Sequence, residues 1–153
     1  MDGRLDDFVA LSAALTGYTS AELHATGMAG SYLAHVTAIV GEAFAARLWE
    51  VGHDVVHRAG HELDTEIGLR LLDDPDFGPV ARNLIMLWYT GQWVQLPRDW
   101  RQRHGANPND VDAILSSDSY TEGLVWNAID AHPQGAKAPG FATWVSAPTR
   151  SRA

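Results

Sequence analysis

The sequence predicts an all-α, single-domain fold, a helical bundle of about five to seven helices. Apolar residues recur at intervals of three and four along most of the chain, which is typical of the buried face of an amphipathic helix. Nowhere does a useful length of chain alternate apolar and polar residues, as a half-buried strand would. The 153 residues are the size of one ordinary domain. We therefore expect one helical domain over residues 5–148, with flexible termini at residues 1–4 and 149–153.

Turn and capping signals divide the first half of the chain into four predicted helices. The first should end at Gly17, because glycine is the residue that best adopts the left-handed backbone after a helix. Thr19 followed by Glu22 is a capping-box pattern, which opens the second helix. His35 lies in the middle of this second helix, where we expect it on the helix surface. The four helices are predicted over residues 5–16, 19–40, 42–58 and 62–72.

A break and an irregular stretch follow. Residues 73–79 hold two prolines and a glycine, so the helix cannot continue through them. Pro79 suits the first turn of the next helix, which should end at Gly91. Residues 92–117 are polar and irregular, with at most a short helix after Pro108. The sequence therefore predicts one more long helix and then a mostly loop-like connection.

The C-terminal part is predicted to contain one last helix and a tail. A second capping-box pattern begins at Ser119 and opens a helix over residues 120–131. Beyond Pro133 the chain is rich in Gly, Ala and Pro, with Phe141 and Trp144 as isolated large aromatic residues. Because large aromatic side chains are costly to leave exposed, we expect this tail to be extended but docked.

Composition excludes several classes of function. The 11 basic and 19 acidic residues give a formal charge of −8, which argues against nucleic-acid binding through bulk electrostatics. There is no cysteine, so disulfides, thiolate metal sites and thiol catalysis are excluded. No stretch approaches the roughly 20 apolar residues that a membrane span needs. No serine-nucleophile motif and no phosphate-binding glycine loop after a strand is present, so we expect no catalytic residue and no bound cofactor in this chain.

The aromatic end of the predicted helix before Gly91 has two possible interpretations. Trp88 and Tyr89 stand where that helix must stop, and Trp93 follows directly. Tryptophan is enriched both in protein cores and at the anchor points of interfaces. The cluster is therefore either a packed end of the core or a surface for a partner, and the residues alone favour neither.

Three histidines have the spacing of a metal site. His53, His57 and His61 stand four residues apart, so neighbouring pairs share one face of a helix, and Asp54 or Glu62 could add a carboxylate. Zinc, nickel or copper would accept such a set. However, the outer two histidines are separated by about 80° around a straight helix and about 12 Å along it. One ion cannot easily reach all three from such a helix, so we expect no metal site. The alternative hypothesis is a stand-alone helical protein that binds a metal or small ligand through His53, His57 and His61.

Four segments, taken in order, resemble the blocks of a known family. They are FVALSAALTG, LWYTG, SYTEGLVWNAI and KAPGFATWVSAP, at residues 8–17, 87–91, 119–129 and 137–148. These are similar to the blocks of the small, or gamma, subunits of FAD-dependent sugar and polyol dehydrogenases of the sorbitol-dehydrogenase type. The resemblance is loose between residues 18 and 83, and the connection at residues 92–118 is long for the family.

This resemblance implies a non-catalytic chain that works with a partner. The partner would be a large flavoprotein of the glucose-methanol-choline type, which holds the FAD and passes electrons to a cytochrome c or another acceptor. The small subunit would support folding, stability and maturation of that flavoprotein. Family members often have a twin-arginine signal, and none is visible here. We expect a periplasmic location if a signal was removed or if the chain is exported with its partner, and otherwise a cytoplasmic one.

The resemblance also selects the residues expected to contact the flavoprotein. They are the large aromatic side chains in and beside the last three blocks, because such residues dominate the energy of interfaces. The candidate interface residues are Trp88, Tyr89, Trp93, Tyr120, Trp126, Phe141 and Trp144.

Overall fold

The computed structural model describes residues 2–133, and over these residues the predicted all-α fold is confirmed. The first predicted helix ends before Gly17, whose φ of +80° is left-handed, as expected. The third predicted helix also has the bounds expected from the sequence. The tail with Phe141 and Trp144, and the terminus at residues 149–153, lie outside the described residues. The first half contains α1 (Asp2–Thr16), α2 (Ser20–Ala25), α3 (Ala29–Val40) and α4 (Glu42–Arg58).

The predicted helix over residues 19–40 is two helices. Its capping box is confirmed, because the Thr19 hydroxyl accepts from the Glu22 amide at 3.2 Å and the Glu22 carboxylate accepts from the Thr19 amide at 2.8 Å. However, Gly27 has a φ of +72°, which ends α2 and turns the chain into α3. The prediction of one continuous helix was wrong because this glycine is used for its left-handed backbone and not for close helix packing.

The middle of the chain contains a 3₁₀ turn (Gly60–Glu62), α5 (Leu63–Ile67), a π-helical turn (Gly68–Leu72) and α6 (Phe77–Thr90). The break before α6 is confirmed, and Pro79 lies in the first turn of that helix. Gly78 approaches the preceding turn so closely that a Cβ there would lie 2.4 Å from the Leu72 carbonyl oxygen. This contact fixes the start of α6 against the end of the π-helical turn.

The polar stretch after α6 is more ordered than predicted. It contains β1 (Gln92–Trp93), α7 (Arg98–His104) and β2 (Ala113–Ile114), and the two strands pair antiparallel. The short helix expected after Pro108 is absent, because residues 113–114 form β2 instead. Helix α7 was missed because its buried apolar contact is made by Trp100 alone, which gives no helical periodicity. The Trp100 indole donates to the Asp76 carbonyl oxygen at 2.8 Å and ties α7 to the start of α6.

The predicted last helix is two short ones, α8 (Ser117–Thr121) and α9 (Leu124–Ala128). Its capping box begins three residues earlier than predicted, with Ser116 as the cap and Ser119 as its partner. The chain breaks between the two helices at Gly123, where a Cβ would lie 2.7 Å from the Tyr89 carbonyl oxygen. Because two predicted helices are divided and α7 is added, the described residues contain more helices than the five to seven predicted.

The buried apolar residues form a cluster in which aromatic rings from four helices meet. The Phe8 ring of α1 lies 5.3 Å from the ring of Trp49 in α4 and 6.0 Å from that of Trp88 in α6. The Tyr32 ring of α3 packs edge-on against Trp88 at 4.9 Å. Phe8 of α1 therefore joins α4 to α6, and Tyr32 joins α3 to α6. Among the described residues, no helix is long and apolar enough to cross a membrane.

Candidate functional site

Three of the four family-like segments meet at one place, although they are far apart in sequence. The Tyr89 hydroxyl at the end of α6 donates to the Thr16 carbonyl oxygen at the end of α1, at 3.0 Å. The Tyr18 ring lies 6.0 Å from that of Tyr89, and its hydroxyl lies 3.5 Å from the Leu124 carbonyl oxygen in α9. We call this meeting point of residues 16–18, 89–91 and 119–126 the junction.

Close backbone contact at Gly91 holds the junction together. Its φ is +69°, and a Cβ there would lie 2.3 Å from the Ser119 carbonyl oxygen. The Gly91 carbonyl oxygen accepts from the Leu115 amide at 3.0 Å and from the Ser119 hydroxyl at 3.2 Å. The glycine that ends α6 is therefore also the place where the C-terminal segment docks.

Two of the seven candidate interface residues do not lie at a surface. Trp88 is 1% exposed and Trp93 is fully buried. Trp88 packs against Phe8 and Tyr32 in the core, so the expectation that these two tryptophans contact a partner is corrected. The physical reason is that this chain covers both side chains itself. Trp88 packs against α1 and α3, and Trp93, in β1, packs against the His35 ring and donates to the Asp110 carboxylate.

Three of the seven are half-buried at the junction, and two lie beyond the described residues. Tyr89, Tyr120 and Trp126 are each partly exposed. The Trp126 indole donates to the Tyr120 carbonyl oxygen at 2.8 Å, and the two rings meet edge-on at 5.3 Å. This hydrogen bond and this ring contact hold the Tyr120 and Trp126 side chains in place, and both rings remain partly exposed. Phe141 and Trp144 remain predictions.

A cavity of about 240 Å³ opens beside the junction. Its wall comes from α2, α8, α9 and the last described residues, and it includes Tyr18, Glu22, Thr26, Trp126 and Pro133. Burial, followed by the neighbouring Tyr89 and Glu22, raises the pKa of Tyr18. The Tyr18 hydroxyl, which like that of any tyrosine keeps its proton at neutral pH, points to the Leu124 carbonyl oxygen at this wall.

A buried polar network contacts the Trp93 side chain, and we did not predict it from the sequence. The Asp110 carboxylate is 2% exposed and accepts from the Trp93 indole at 2.8 Å and from the Leu96 amide at 3.0 Å. The ring of His35 packs against that of Trp93 at 5.3 Å. His35 is thus half-buried and not on the helix surface as predicted, and its Nε2 has no hydrogen-bond partner within residues 2–133.

The environment of His35 predicts a pH dependence of stability. Burial lowers the pKa of His35, and the Asp110 carboxylate opposes this shift without cancelling it. The unfolded chain, with a histidine pKa of about 6.5, therefore binds more protons than the folded chain below that pH. We expect the free energy of unfolding to fall from about pH 7 to about pH 5, and this slope to be shallower in His35→Leu. Urea titrations across that range measure it, with exposed His24→Leu as the control; equal slopes in the two variants would contradict the assignment.

The histidine set is rearranged relative to the prediction. The structure brings together Asp7 of α1 with His53 and His57 of α4, and one potential ligand atom from each lies within 4.8 Å of the others. The His53 Nδ1 atom is 2.6 Å from the Asp7 carboxylate, and the rings of the two histidines are 4.1 Å apart. His61 is not in this group, because α4 ends at Arg58 and His61 lies in the following 3₁₀ turn.

The carboxylate beside the two histidines comes from Asp7 of α1, and not from Asp54 or Glu62 as expected. Asp54 lies between the two histidines in sequence, but its carboxylate is 2.6 Å from Arg70 and 2.9 Å from Arg58. The hydrogen bond from Arg70 lowers the pKa of Asp54, so this carboxyl is ionised and engaged by cations. Asp54 and Glu62 are therefore not members of the histidine group, and Asp7 is.

Comparisons with known proteins identify no family for this chain, so the likeness of the four blocks remains a resemblance between short segments. No protein-family model matches the chain, and neither the curated proteins nor the solved structures provide a match.

Proposed function

We propose that this chain is a non-catalytic small subunit of a heteromeric FAD-dependent sugar or polyol dehydrogenase. Its role is to support the folding, stability and maturation of a large flavoprotein of the glucose-methanol-choline type. In this proposal the FAD and the substrate site belong to the large subunit. Electrons leave that subunit for a cytochrome c or another acceptor.

The junction is the observation that carries the proposal. Segments 8–17, 87–91 and 119–129 were selected by resemblance alone, yet they come together in space. The contacts between them involve the residues that make the segments recognisable, including Tyr89 and Gly91. A set of blocks that forms one surface is what a shared binding role would require, whereas unrelated short likenesses would be scattered over the fold.

The chemistry of the junction suits a protein partner. Tyr89, Tyr120 and Trp126 are half-buried. The Tyr89 and Trp126 side chains donate hydrogen bonds and the Tyr120 ring packs edge-on against Trp126, so the three rings lose little conformational entropy when a second protein covers them. Aromatic anchors with a polar rim are typical of the energetic centre of an interface. The fourth block, at residues 137–148, lies outside the described residues, which end at Pro133 at the wall of the adjoining cavity.

Co-expression with the flavoprotein subunit tests the proposal. We expect the large subunit to be soluble, to contain FAD and to oxidise its sugar or polyol only when this chain is present. The two chains should also co-purify as a complex of fixed stoichiometry. A large subunit that is equally soluble, flavinated and active without this chain would overturn the proposal.

A pair of substitutions locates the interface. Trp126→Ala should weaken the complex by at least about tenfold, because truncating a tryptophan hot spot costs about 2 kcal/mol or more and about 1.4 kcal/mol is a factor of ten. Leu69→Ala is the matched control, since Leu69 is 62% exposed and lies in the π-helical turn, away from the junction. Affinity is measured by titrating the purified variants into the large subunit, after circular dichroism has shown that each variant is folded. Equal affinities for the two variants would place the interface elsewhere.

A further inference from the structure

We infer that Asp7, His53 and His57 form a binding site for a divalent transition-metal ion of the zinc, nickel and copper class. The inference concerns the paired helices α1 and α4 and does not rest on the proposed dehydrogenase role. It also differs from the set suggested by sequence spacing, since Asp7 replaces His61 as the third ligand.

The ligand atoms are close to the separation that a metal requires. With metal–ligand distances of about 2.0–2.2 Å, two ligands of a tetrahedral ion lie about 3.3 Å apart. In the protein, the three potential ligand atoms lie within 4.8 Å of one another. The histidines are one turn apart on α4, which aims both rings in the same direction. An ion would bring these atoms to that separation by side-chain rotation, and it would replace the 2.6 Å contact between His53 and Asp7.

The backbones that present these ligands are held firmly together. Gly52, next to His53, lets α1 approach so closely that a Cβ there would lie 2.9 Å from a methyl carbon of Leu11. The Phe8 ring, next to Asp7, packs against Trp49 of α4 at 5.3 Å. Because the residues beside Asp7 and His53 are fixed in the core, the ligands do not have to be brought together from different parts of the chain when the ion binds.

The ligand types select the class of ion. Two imidazole nitrogens and one carboxylate oxygen suit zinc, nickel and copper, whereas magnesium and calcium prefer all-oxygen sites. The His53 side chain is 55% exposed and His57 is also exposed, so water can fill the remaining positions. Arg4 lies near the group, but its guanidinium is paired with the Glu42 carboxylate at 2.7 Å and does not oppose the ion directly.

A simple ion pair between Asp7 and His53 is the competing explanation for part of this geometry. Such a pair accounts for their 2.6 Å contact, but it gives no role to His57. The two explanations therefore differ in what they predict for His57. Removing it leaves the ion pair intact and removes one metal ligand.

Metal titration of the full chain, expressed without a histidine tag and treated with chelator, decides between them. Zinc chloride and nickel chloride are titrated separately and followed by calorimetry. We expect one ion per chain in the unsubstituted protein, and at least about tenfold weaker binding in His57→Ala and in Asp7→Asn, since even loss of an outer-sphere partner costs a metal site about 10–100-fold. His61→Ala is the matched control and should bind as the parent does.

The inference would be overturned by the absence of saturable binding of one ion per chain. It would also be overturned if His61→Ala weakened binding as much as His57→Ala, or if Asp7→Asn bound as tightly as the parent. Because the three ligands are at the surface, the variants are expected to stay folded, and circular dichroism checks this. As a second measurement, the visible absorption of cobalt(II) at one fixed concentration should be equal in the parent and His61→Ala and clearly weaker in His57→Ala.

Discussion

Replacing Gly91 by alanine should lower the free energy of unfolding by about 2–5 kcal/mol. Two costs add at this position. The left-handed backbone, with a φ of +69°, costs a residue with a side chain about 1–2 kcal/mol. The new methyl group would also meet the Ser119 backbone, whose carbonyl oxygen would lie 2.3 Å from it, and overpacking of this kind costs about 1–3 kcal/mol.

Gly17→Ala separates these two costs. Gly17 has a φ of +80°, but nothing lies within 4 Å of the position that its Cβ would take. The free energy of unfolding of Gly17→Ala should therefore fall only by the cost of the left-handed backbone, about 1–2 kcal/mol. Equilibrium urea unfolding of both variants gives the comparison. If the two variants lost the same stability, the close contact at Ser119 would not be the feature that makes glycine necessary at the junction.

Asp110→Ala should lower the free energy of unfolding by about 2–6 kcal/mol. The substitution leaves the Trp93 indole N–H and the Leu96 amide without their acceptor, and both residues are buried. Each buried donor without a partner costs about 1–3 kcal/mol. Loss of these bonds should also loosen residues 93–110, because one carboxylate connects the two ends of that segment.

Asp112→Ala is the control for this prediction, because it changes the same residue type in the same connection. Its carboxylate accepts from the Gln95 amide at 2.7 Å, but at an exposed position where water can replace it. It should lose only about 0.5–1.5 kcal/mol. Chemical unfolding followed by circular dichroism measures both variants. A loss at Asp110 no larger than that at Asp112 would show that the buried carboxylate is replaceable by water.

The parts of the fold that sequence predicted are those in which a local signal decides the structure. The capping pair Thr19 and Glu22, the break at residues 73–79 and the stop at Gly91 all act through neighbours in the chain. Helix α7 and strand β2 were missed because tertiary contacts define them. Trp100 of α7 is bonded to the start of a different helix, α6, and Ala113 pairs with Trp93, which lies twenty positions earlier in the chain.

In the candidate sites, too, sequence predicted what neighbouring residues determine and missed what tertiary packing determines. Spacing predicted that His53 and His57 share a face, because one helical turn fixes that relation. It could not identify Asp7, which comes from α1 through the tertiary packing of two helices. In the same way, the aromatic run ending at Tyr89 was recognisable, but the burial of Trp88 depends on which neighbouring helices cover it. Helical periodicity of the run 83–88, with Trp88 four positions after the buried Leu84, was the signal available for that burial.

The junction also has a consequence for the order in which the chain can acquire its structure. The bond between Tyr89 and Thr16 closes over 73 residues, and that between Tyr18 and Leu124 over 106. Contacts between distant residues form slowly, because chain entropy must be lost before they contribute. While the chain is being synthesised from its N-terminus, the aromatic end of α6 emerges before α8 and α9 exist to cover it. The surface around Tyr89 is therefore completed only after residues 117–128 have been synthesised, and until then it is open to another polypeptide.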